Sequence, residues 1–582
     1  MTVLPGLERH ESTLQTIQVG LVPAPYSIVP LPGEFRISSY VLISAPPEQL
    51  DQAEMLSDLL LEATGIRCLV TPSPGSASHS GRKVNTLACS LKSQSESQAI
   101  RRFGAECPTI VMELAKEMNG LGHEGYTLDI TPKQITLCAS SNAGLYYGAQ
   151  TLAQMAAVSE APSLGVAAIP CVEITDYPRF AWRGAMLDLA RWFVPPAFIY
   201  KFIDLLGLHK MNVLHLHLND DQGWRVEIKK YPKLTSVGGY RKQSFVGQLR
   251  QDPADDGFDP SLATYDGVPH GGFYTQKELR DLVEYAAWHN ITLVPEIDLP
   301  GHAQAAIAAY TELGCEREPV EVSCSWGIHP YVFNPSEETM RFLEDVLQEV
   351  LEIFPSQYIH VGGDEVVTKQ WQESPECQTT MRALGLAGED EIKAYFTRRM
   401  GVFLAEHGRR LVGWDEILEG ELCPDAVVMS WRGEEGGVDA ARSGRDVVMA
   451  PYQHTYFDYR QAEDTAIEPL GFPHGFTTLS AVYHYEPVPR DLPLEHVHHV
   501  LGCQGQLWTE YMPDVNQIEY MAFPRMCALA EVAWSPAARR DFGEFMQRLR
   551  VHLARLDAKN VNYRKLDRYE PSEEKIEREY CC

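Results

Sequence analysis

The sequence sets two carboxylates side by side behind two glycines, Gly362-Gly363-Asp364-Glu365. Adjacent acids cannot ionise independently. One holds the other protonated, and an apolar wall does the same by desolvation, which is how a Glu becomes a proton donor near neutral pH. Glycines ahead of them permit tight turns and close approach of a ligand. A bare Asp-Glu pair is ordinarily a solvated acidic end or a ligand pair for Mg²⁺ or Ca²⁺. At the end of a buried strand, the same pair lies where barrels place catalytic groups. Trp414, Trp431 and Trp508 close three further apolar runs. A lone Trp fills core, but three at strand ends fit the wall of a ligand pocket, and aromatic walls stack on the C–H faces of sugar rings. Arg183, Asp458 and Glu510 offer planar polar groups for hydroxyls.

The run HLHLNDD needs weighing. His215 and His217 are two apart and share one side of a strand, a pattern that metal-dependent hydrolases also use. Leu214, Leu216 and Leu218 face the other way, so a satisfied inner layer explains the histidines equally well. With no third ligand at a suitable spacing, no metal or cofactor is expected. A metal-dependent barrel hydrolase built on His215, His217 and Asp364 stays open as an alternative, as does a non-catalytic sugar-binding protein. His302, after Pro300-Gly301, reads as a supporting hydrogen-bonded group rather than a base.

These residues need elements to hold them. From 177 onward eight apolar runs recur: 183–190, 212–220, 291–298, 357–365, 410–416, 426–432, 446–452 and 501–508. Helical patterns such as TQKELRDLVEYAAWHN and SEETMRFLEDVLQEVLEIF lie between most of them. Eight strands alternating with helices predict a (β/α)8 TIM barrel over 177–535, with 233–272 as a long insertion. The first strand is followed by no GxGxxG loop, which disfavours an open nucleotide-binding sheet. Ahead of the barrel, 21–176 reads as a small α+β domain. Its hairpin joins EGYTLDIT to ITLCAS, and EQLDQAEMLSDLLLEAT and NAGLYYGAQTLAQMA are its helices. Residues 1–20 read as loosely ordered, 73–83 as a mobile Ser/Gly-rich loop, and 536–582 as a helical extension packed on the outside of the barrel.

The whole-chain balance narrows the class. Among 582 residues, 45% hydrophobic and 22% charged, a globular protein with a large core is expected. A net charge of −29 repels phosphate backbones, so no nucleic-acid partner is expected. No segment reaches the ~18 apolar residues that cross a bilayer, so no membrane insertion is expected. The start MTVLPGLERHESTLQ lacks the basic end and apolar run of a secretory signal. The 13 cysteines have no CxxC spacing and read as reduced thiols, which together with that start gives a cytoplasmic expectation. Cys581-Cys582 receives no role.

In order along the chain, RGAMLDLAR, NVLHLHLNDDQGW, VPEIDLPGHAQAA, HVGGDEV, VGWDEI, SWRG, YFD and QLWTE resemble the retaining β-N-acetylhexosaminidases of glycoside hydrolase family 20. EGYTLDIT and NAGLYYGAQTLAQM are similar to that family's small N-terminal domain. The resemblance implies exo-acting hydrolysis of terminal, non-reducing β-linked GlcNAc or GalNAc from glycans. It also implies a substrate-assisted route outside the usual two-carboxylate scheme. By position, Glu365 would be the general acid and then base. Asp364 would hold the acetamido N–H, and Tyr456 would donate to the acetamido oxygen. Trp414, Trp431 and Trp508 would enclose the methyl group and ring face. Arg183 would bind O3 and O4, with Asp458 and Glu510 on the O4 and O6 side. Asp220 and His302 would support Glu365. Tyr485, in YHYEP, stands where some relatives carry a Trp facing the leaving group.

Overall fold

The computed structural model describes residues 19–73, 108–115, 118, 120–157, 166–247, 251–252, 255–258, 263–464, 466 and 468–566. Residues 1–18, the stretch 73–83 beyond Ser73, and the tail from 567 through Cys581-Cys582 lie outside them. The chain divides into two compact units: 1–179 with 208–210 and 534–560, and 180–207 with 211–533 and 561–582.

The first unit is built on seven strands: β1 (Ser27–Ile37), β2 (Leu42–Ala45), β3 (Leu69–Pro72), β4 (Thr109–Leu114), β5 (Tyr126–Ile130), β6 (Gln134–Ala139) and β7 (Ala167–Asp176). They form one sheet in the order β1-β7-β5-β6-β4-β2-β3. β5 and β6 are the expected hairpin, with Ile130 opposite Ile135. Alternate side chains Tyr126, Leu128, Ile130, Ile135 and Leu137 are fully buried, which is the period-two signature of a half-covered sheet. The helices are Leu50–Thr64 and Asn142–Ala156. The second starts where Ser141 accepts from the backbone N–H groups of Ala143 and Gly144.

The helix Phe542–Ala558 also belongs to this unit, which corrects the expectation of a tail on the barrel's outside. Its arginines explain why. Arg548 donates to the Leu21 carbonyl at 2.7 Å, and Arg555 donates to the carbonyls of Val19, Gly20 and Gln154. Buried carbonyls need donors, and these cations supply them. Val19 and Leu21 are buried as a result, so the described end of the N-terminal segment is anchored.

The second unit carries a closed barrel of eight strands: Trp182–Asp188, Val213–His217, Thr292–Glu296, Tyr358–His360, Arg410–Trp414, Val427–Ser430, Val447–Met449 and Val500–Leu507. Each falls on one of the eight expected runs, and every pairing is parallel. The helices Gln276–Trp288 and Glu337–Ile353 open with Thr275 and Ser336 as caps, Thr275 in a capping box with Glu278. The insertion becomes an arm of short antiparallel pairs, Tyr240–Arg241 with His270–Gly271 and Phe245–Val246 with Thr264–Tyr265. At the C-terminal ends of the first four strands the register aligns Asp188, His217, Glu296 and His360 in one layer. Barrel strands present their chemistry at that end. Among the described residues, no helix is long and apolar enough to cross a membrane.

Candidate active site

The catalytic candidates sit just past the fourth strand. Gly362 and Gly363 have φ of +66° and +99°, and a Cβ on Gly362 would fall 1.7 Å from Asp298 Oδ1, so only glycine fits there. Glu365 and His302 also hold positive φ, +50° and +48°. Strained non-glycine backbone gathers at functional sites, and these two face each other, His302 Nε2 lying 3.6 Å from Glu365 Oε2 and 3.7 Å from Asp364 Oδ2.

The two neighbouring acids differ in burial. The Glu365 side chain is 33% exposed and that of Asp364 is 11% exposed. Burial, opposed by His302 and reinforced by Glu365, lifts Asp364 to about 6. Its Oδ1 is buried with no hydrogen-bond partner among the described residues. A buried acceptor without a donor is costly and marks a place where a ligand donor fits. Asp298, beside Gly363, is raised well above the usual carboxylate range by burial and by Asp364.

His302 is held from below. Its Nδ1 lies 3.1 Å from Asp221 Oδ2 and 3.3 Å from Asp220 Oδ1. Burial works against its charge, but Asp220 and the bonds to Asp220, Asp221 and Glu365 outweigh it and keep the ring protonated.

Four aromatic rings make the walls. Trp431 stacks on Tyr456 with centroids 6.0 Å apart, and Trp508 lies 5.8 Å from Trp414 and 6.5 Å from Tyr456. Trp414 is 1% exposed and donates to Glu296, so it is the floor of the group rather than an open face. Glu416 braces the opposite wall, accepting the Trp431 indole N–H at 2.9 and 3.2 Å. Burial, then Asp364, lifts Glu416 to about 8, leaving it protonated at neutral pH. The sequence shows this residue at a strand end but gives it no role.

The expected hydroxyl-binding Arg183 is elsewhere. It is the second residue of the first barrel strand, fully buried, with its guanidinium donating to the Phe180 carbonyl at 2.8 Å. That is the N-terminal end, about 16 Å from Asp188 at about 3.3 Å per residue. The arginine at the correct end is Arg191, missed because both flank the same apolar run. Arg191 lies 2.7 Å from Asp220, 3.2 Å from Asp188 and 3.8 Å from Glu510, with its guanidinium 5.1 Å above the Trp508 ring. Burial opposes its charge, and Asp220, Glu510 and Asp188 outweigh that. Asp458 is nearby, raised well above its usual range by burial and then by Glu510, and its Oδ1 also lacks a partner among the described residues.

Tyr485 is 2% exposed, with its ring stacked on His454 at 5.0 Å. Burial, reinforced by Cys503, Glu434 and Glu486, raises its hydroxyl well above the usual tyrosine range. His215, His217 and Asp364 do not form a ligand set among the described residues. Both nitrogens of His217 face carboxylates, and His215 faces Gln504 and Glu296.

Paired acids and an aromatic box at the C-terminal mouth lie where barrel enzymes place their chemistry. Residues 180–537 match the catalytic-domain model of glycosyl hydrolase family 20, and 18–177 match that family's domain 2. The chain belongs to glycosyl hydrolase family 20. It is 41% identical over 448 residues to a beta-hexosaminidase of Porphyromonas gingivalis, covering 76% of this chain and 55% of the relative. The chain thus spans about half that relative's length. A beta-hexosaminidase of Akkermansia muciniphila is 35% identical over 442 residues, covering 75% and 84% of the two chains. Among solved structures, the Streptomyces plicatus N-acetyl-beta-hexosaminidase in complex with Thio-NAglucal superposes with a TM-score of 0.75 at 30% identity, covering 94% and 97%. A GH20 exo beta-N-acetylglucosaminidase from Vibrio harveyi in complex with N-acetylglucosamine gives 0.76 at 31%, covering 94% and 78%.

Proposed function

We propose that this chain removes terminal, non-reducing β-linked N-acetylhexosamine from glycans with retention of configuration, using the substrate's own acetamido group as nucleophile. The observation that carries this is Asp364: a buried carboxylate poised near 6 with an Oδ1 that has no partner among the described residues, one residue from the accessible Glu365 and close enough to act on Tyr456 of the aromatic box. That combination suits an acetamido group, whose N–H needs an acceptor and whose methyl group needs apolar walls. The names of the relatives agree with it, since the S. plicatus enzyme is also known in complex with GlcNAc as product.

In the first step the acetamido oxygen attacks the anomeric carbon, and the glycosidic C–O bond breaks. Glu365, as the carboxylic acid, gives its proton to the leaving oxygen. The oxazolinium so formed carries positive charge on its ring N–H, which Asp364 accepts as a hydrogen bond and an opposite charge. Tyr456 donates to the acetamido oxygen, while Trp414, Trp431 and Trp508 enclose the methyl group and ring face. Glu365, now the carboxylate, takes a proton from water as the water oxygen attacks the anomeric carbon. Ring opening restores the acetamide and the acid. Arg191 takes the O3 and O4 role that the resemblance gave to Arg183, with Asp458 and Glu510 beside it. His302, held by Asp220 and Asp221, steadies Glu365.

A panel of chromogenic β-glycosides with the acetamido group present or replaced by hydroxyl tests this. Hydrolysis of the N-acetyl glycosides alone is expected. Equal turnover of plain glucosides or galactosides contradicts the reading.

A further inference from the structure

We propose that Glu296 and His217 are positioning residues: a buried carboxylate–imidazolium pair that, through Asp220, fixes both Arg191 and His302 at the mouth. Only the kinetic part of its test rests on the proposed activity.

Glu296 is fully buried in the barrel interior. A lone carboxylate there would cost several kcal/mol, so it must be surrounded by donors. His217 Nδ1 lies 2.5 Å from its Oε2, His215 Nε2 3.1 Å from the same oxygen, and Trp414 Nε1 donates to Oε1 at 3.1 Å. The hydrogen bonds fix the tautomers. Gln504 Oε1 accepts the Trp182 indole N–H, so the Gln504 amide N–H₂ turns toward His215 Nδ1 at 3.1 Å. His215 therefore carries its proton on Nε2, 3.1 Å from Glu296 Oε2, and stays neutral. Burial, only partly offset by Glu296, lowers it to about 4.

His217 differs. Its second nitrogen, Nε2, lies 2.9 Å from Asp220 Oδ2. Both nitrogens thus face carboxylate oxygens, both must donate, and a ring with two N–H donors is an imidazolium. Burial works against that charge, and Glu296 and Asp220 outweigh it. Asp220 is the junction. The same Oδ2 holds Arg191 Nη2 at 2.7 Å, while Oδ1 accepts the Asp221 N–H at 2.6 Å and lies 3.3 Å from His302 Nδ1. One carboxylate thereby orients the hydroxyl-binding guanidinium and the imidazole beside Glu365.

The groups facing His217 come from every surrounding element. They are Glu296 from the third strand, Asp298 beyond it, His215 on its own strand, Asp220 after that strand, and the Trp508 ring at 4.9 Å. Arg191 and His360 act through Asp220 and Glu296. Neutralising Glu296 leaves a dry imidazolium with one anion instead of two. The ring would release its proton near neutral pH, Asp220 would lose a cationic partner, and Arg191 and His302 would shift. Misplacement of positioning groups by about 1 Å costs about 10²-fold in rate.

NMR of protein with isotope-labelled histidine, recorded across pH, gives the direct test, with His217→Asn assigning the signal. In the wild type His217 and His302 should both persist as imidazoliums well above pH 7, and the signal lost in His217→Asn is that of His217. In Glu296→Gln that ring should titrate near neutrality, kcat/KM should fall about 10²-fold with a raised KM, and the rate profile should gain an ionisation tracking the ring. A purely structural defect would lower the rate without that new ionisation. A neutral His217 in the wild type, or an unchanged pH profile in a folded Glu296→Gln enzyme, overturns the proposal. If Glu296→Gln fails to fold, the wild-type spectrum and the kinetics of His217→Gln decide. If the wild type cleaves no N-acetylhexosaminide, the proposed function fails while the spectrum still judges the pair.

Discussion

The two units organise their interiors in opposite ways. The seven-stranded sheet and its helices enclose aliphatic and aromatic side chains such as Ile110, Leu128, Leu137, Leu145 and Tyr147, all fully buried. Its buried ions include Arg548 and Arg555, which donate to backbone carbonyls, and a knot in which Asp176 pairs with Lys210 and accepts from Tyr126 and Trp534. The barrel buries His215, His217, Glu296, His360, Gln504 and Gln506 with no exposure at all. An apolar interior stabilises through area and packing, and volume-conserving swaps cost it little. A polar interior contributes little net stability, but each member has one orientation that satisfies it. The first unit holds a shape; the barrel holds positions.

Substitutions should separate along that line, and the largest effects belong at the mouth. Glu365→Gln should lower kcat by about 10²–10⁴-fold, the usual worth of a general acid–base group, with a smaller loss on substrates whose leaving group needs no proton. Asp364→Asn should lose as much on both kinds of substrate. An equal loss of Glu365→Gln on activated and unactivated substrates, with Asp364→Asn sparing the activated ones, would reverse these assignments. Circular-dichroism melts of both variants should stay close to the wild type.

Next is the arginine pair. Arg191→Ala leaves Asp220 and Asp188 short of a partner in a buried site, so a loss of about 2–5 kcal/mol in transition-state binding is expected. Arg183→Lys, at the other end of the same strand, should leave KM unchanged. A raised KM for Arg183→Lys and none for Arg191→Ala would restore the earlier reading. In the first unit Leu137→Ala should cost about 2–5 kcal/mol by denaturant titration through the cavity it opens, while the folded fraction keeps its kcat. A fall in specific activity per folded molecule would break the contrast.

The smallest effects are ionisations. A carboxylate raised to about 6 must lose its proton before it can steady a cation, so activity should fall as pH drops through about 6, and Asp364→Asn should remove that limb. Glu416, raised to about 8, is already protonated at neutral pH, so Glu416→Gln should leave the rate at pH 7 little changed. A large loss at pH 7 would show that its charged form is needed.

How much of this the sequence displays depends on distance along the chain. The barrel strands and the hairpin are local patterns of period and punctuation, and the structure follows them. Asp364-Glu365 and the three tryptophans are legible because strand ends are active positions. Arg183 misled because two arginines bracket RGAMLDLAR, and only strand direction says which one reaches the mouth. Glu296 shows in the sequence as a strand-end carboxylate, but its pairing does not, because its partner His217 is 79 residues away. The terminal helix reads as a charged exterior because the carbonyls its arginines satisfy are 401 or more residues upstream.

The central claim is that the acetamido oxygen, not a protein group, attacks the anomeric carbon. Rates for aryl glycosides whose acetyl group carries none, one, two or three fluorines test it most directly. Fluorine withdraws electrons from that oxygen and should slow kcat/KM progressively along the series while binding changes little. A flat dependence, with the trifluoroacetyl substrate as fast as the acetyl one, would contradict the account.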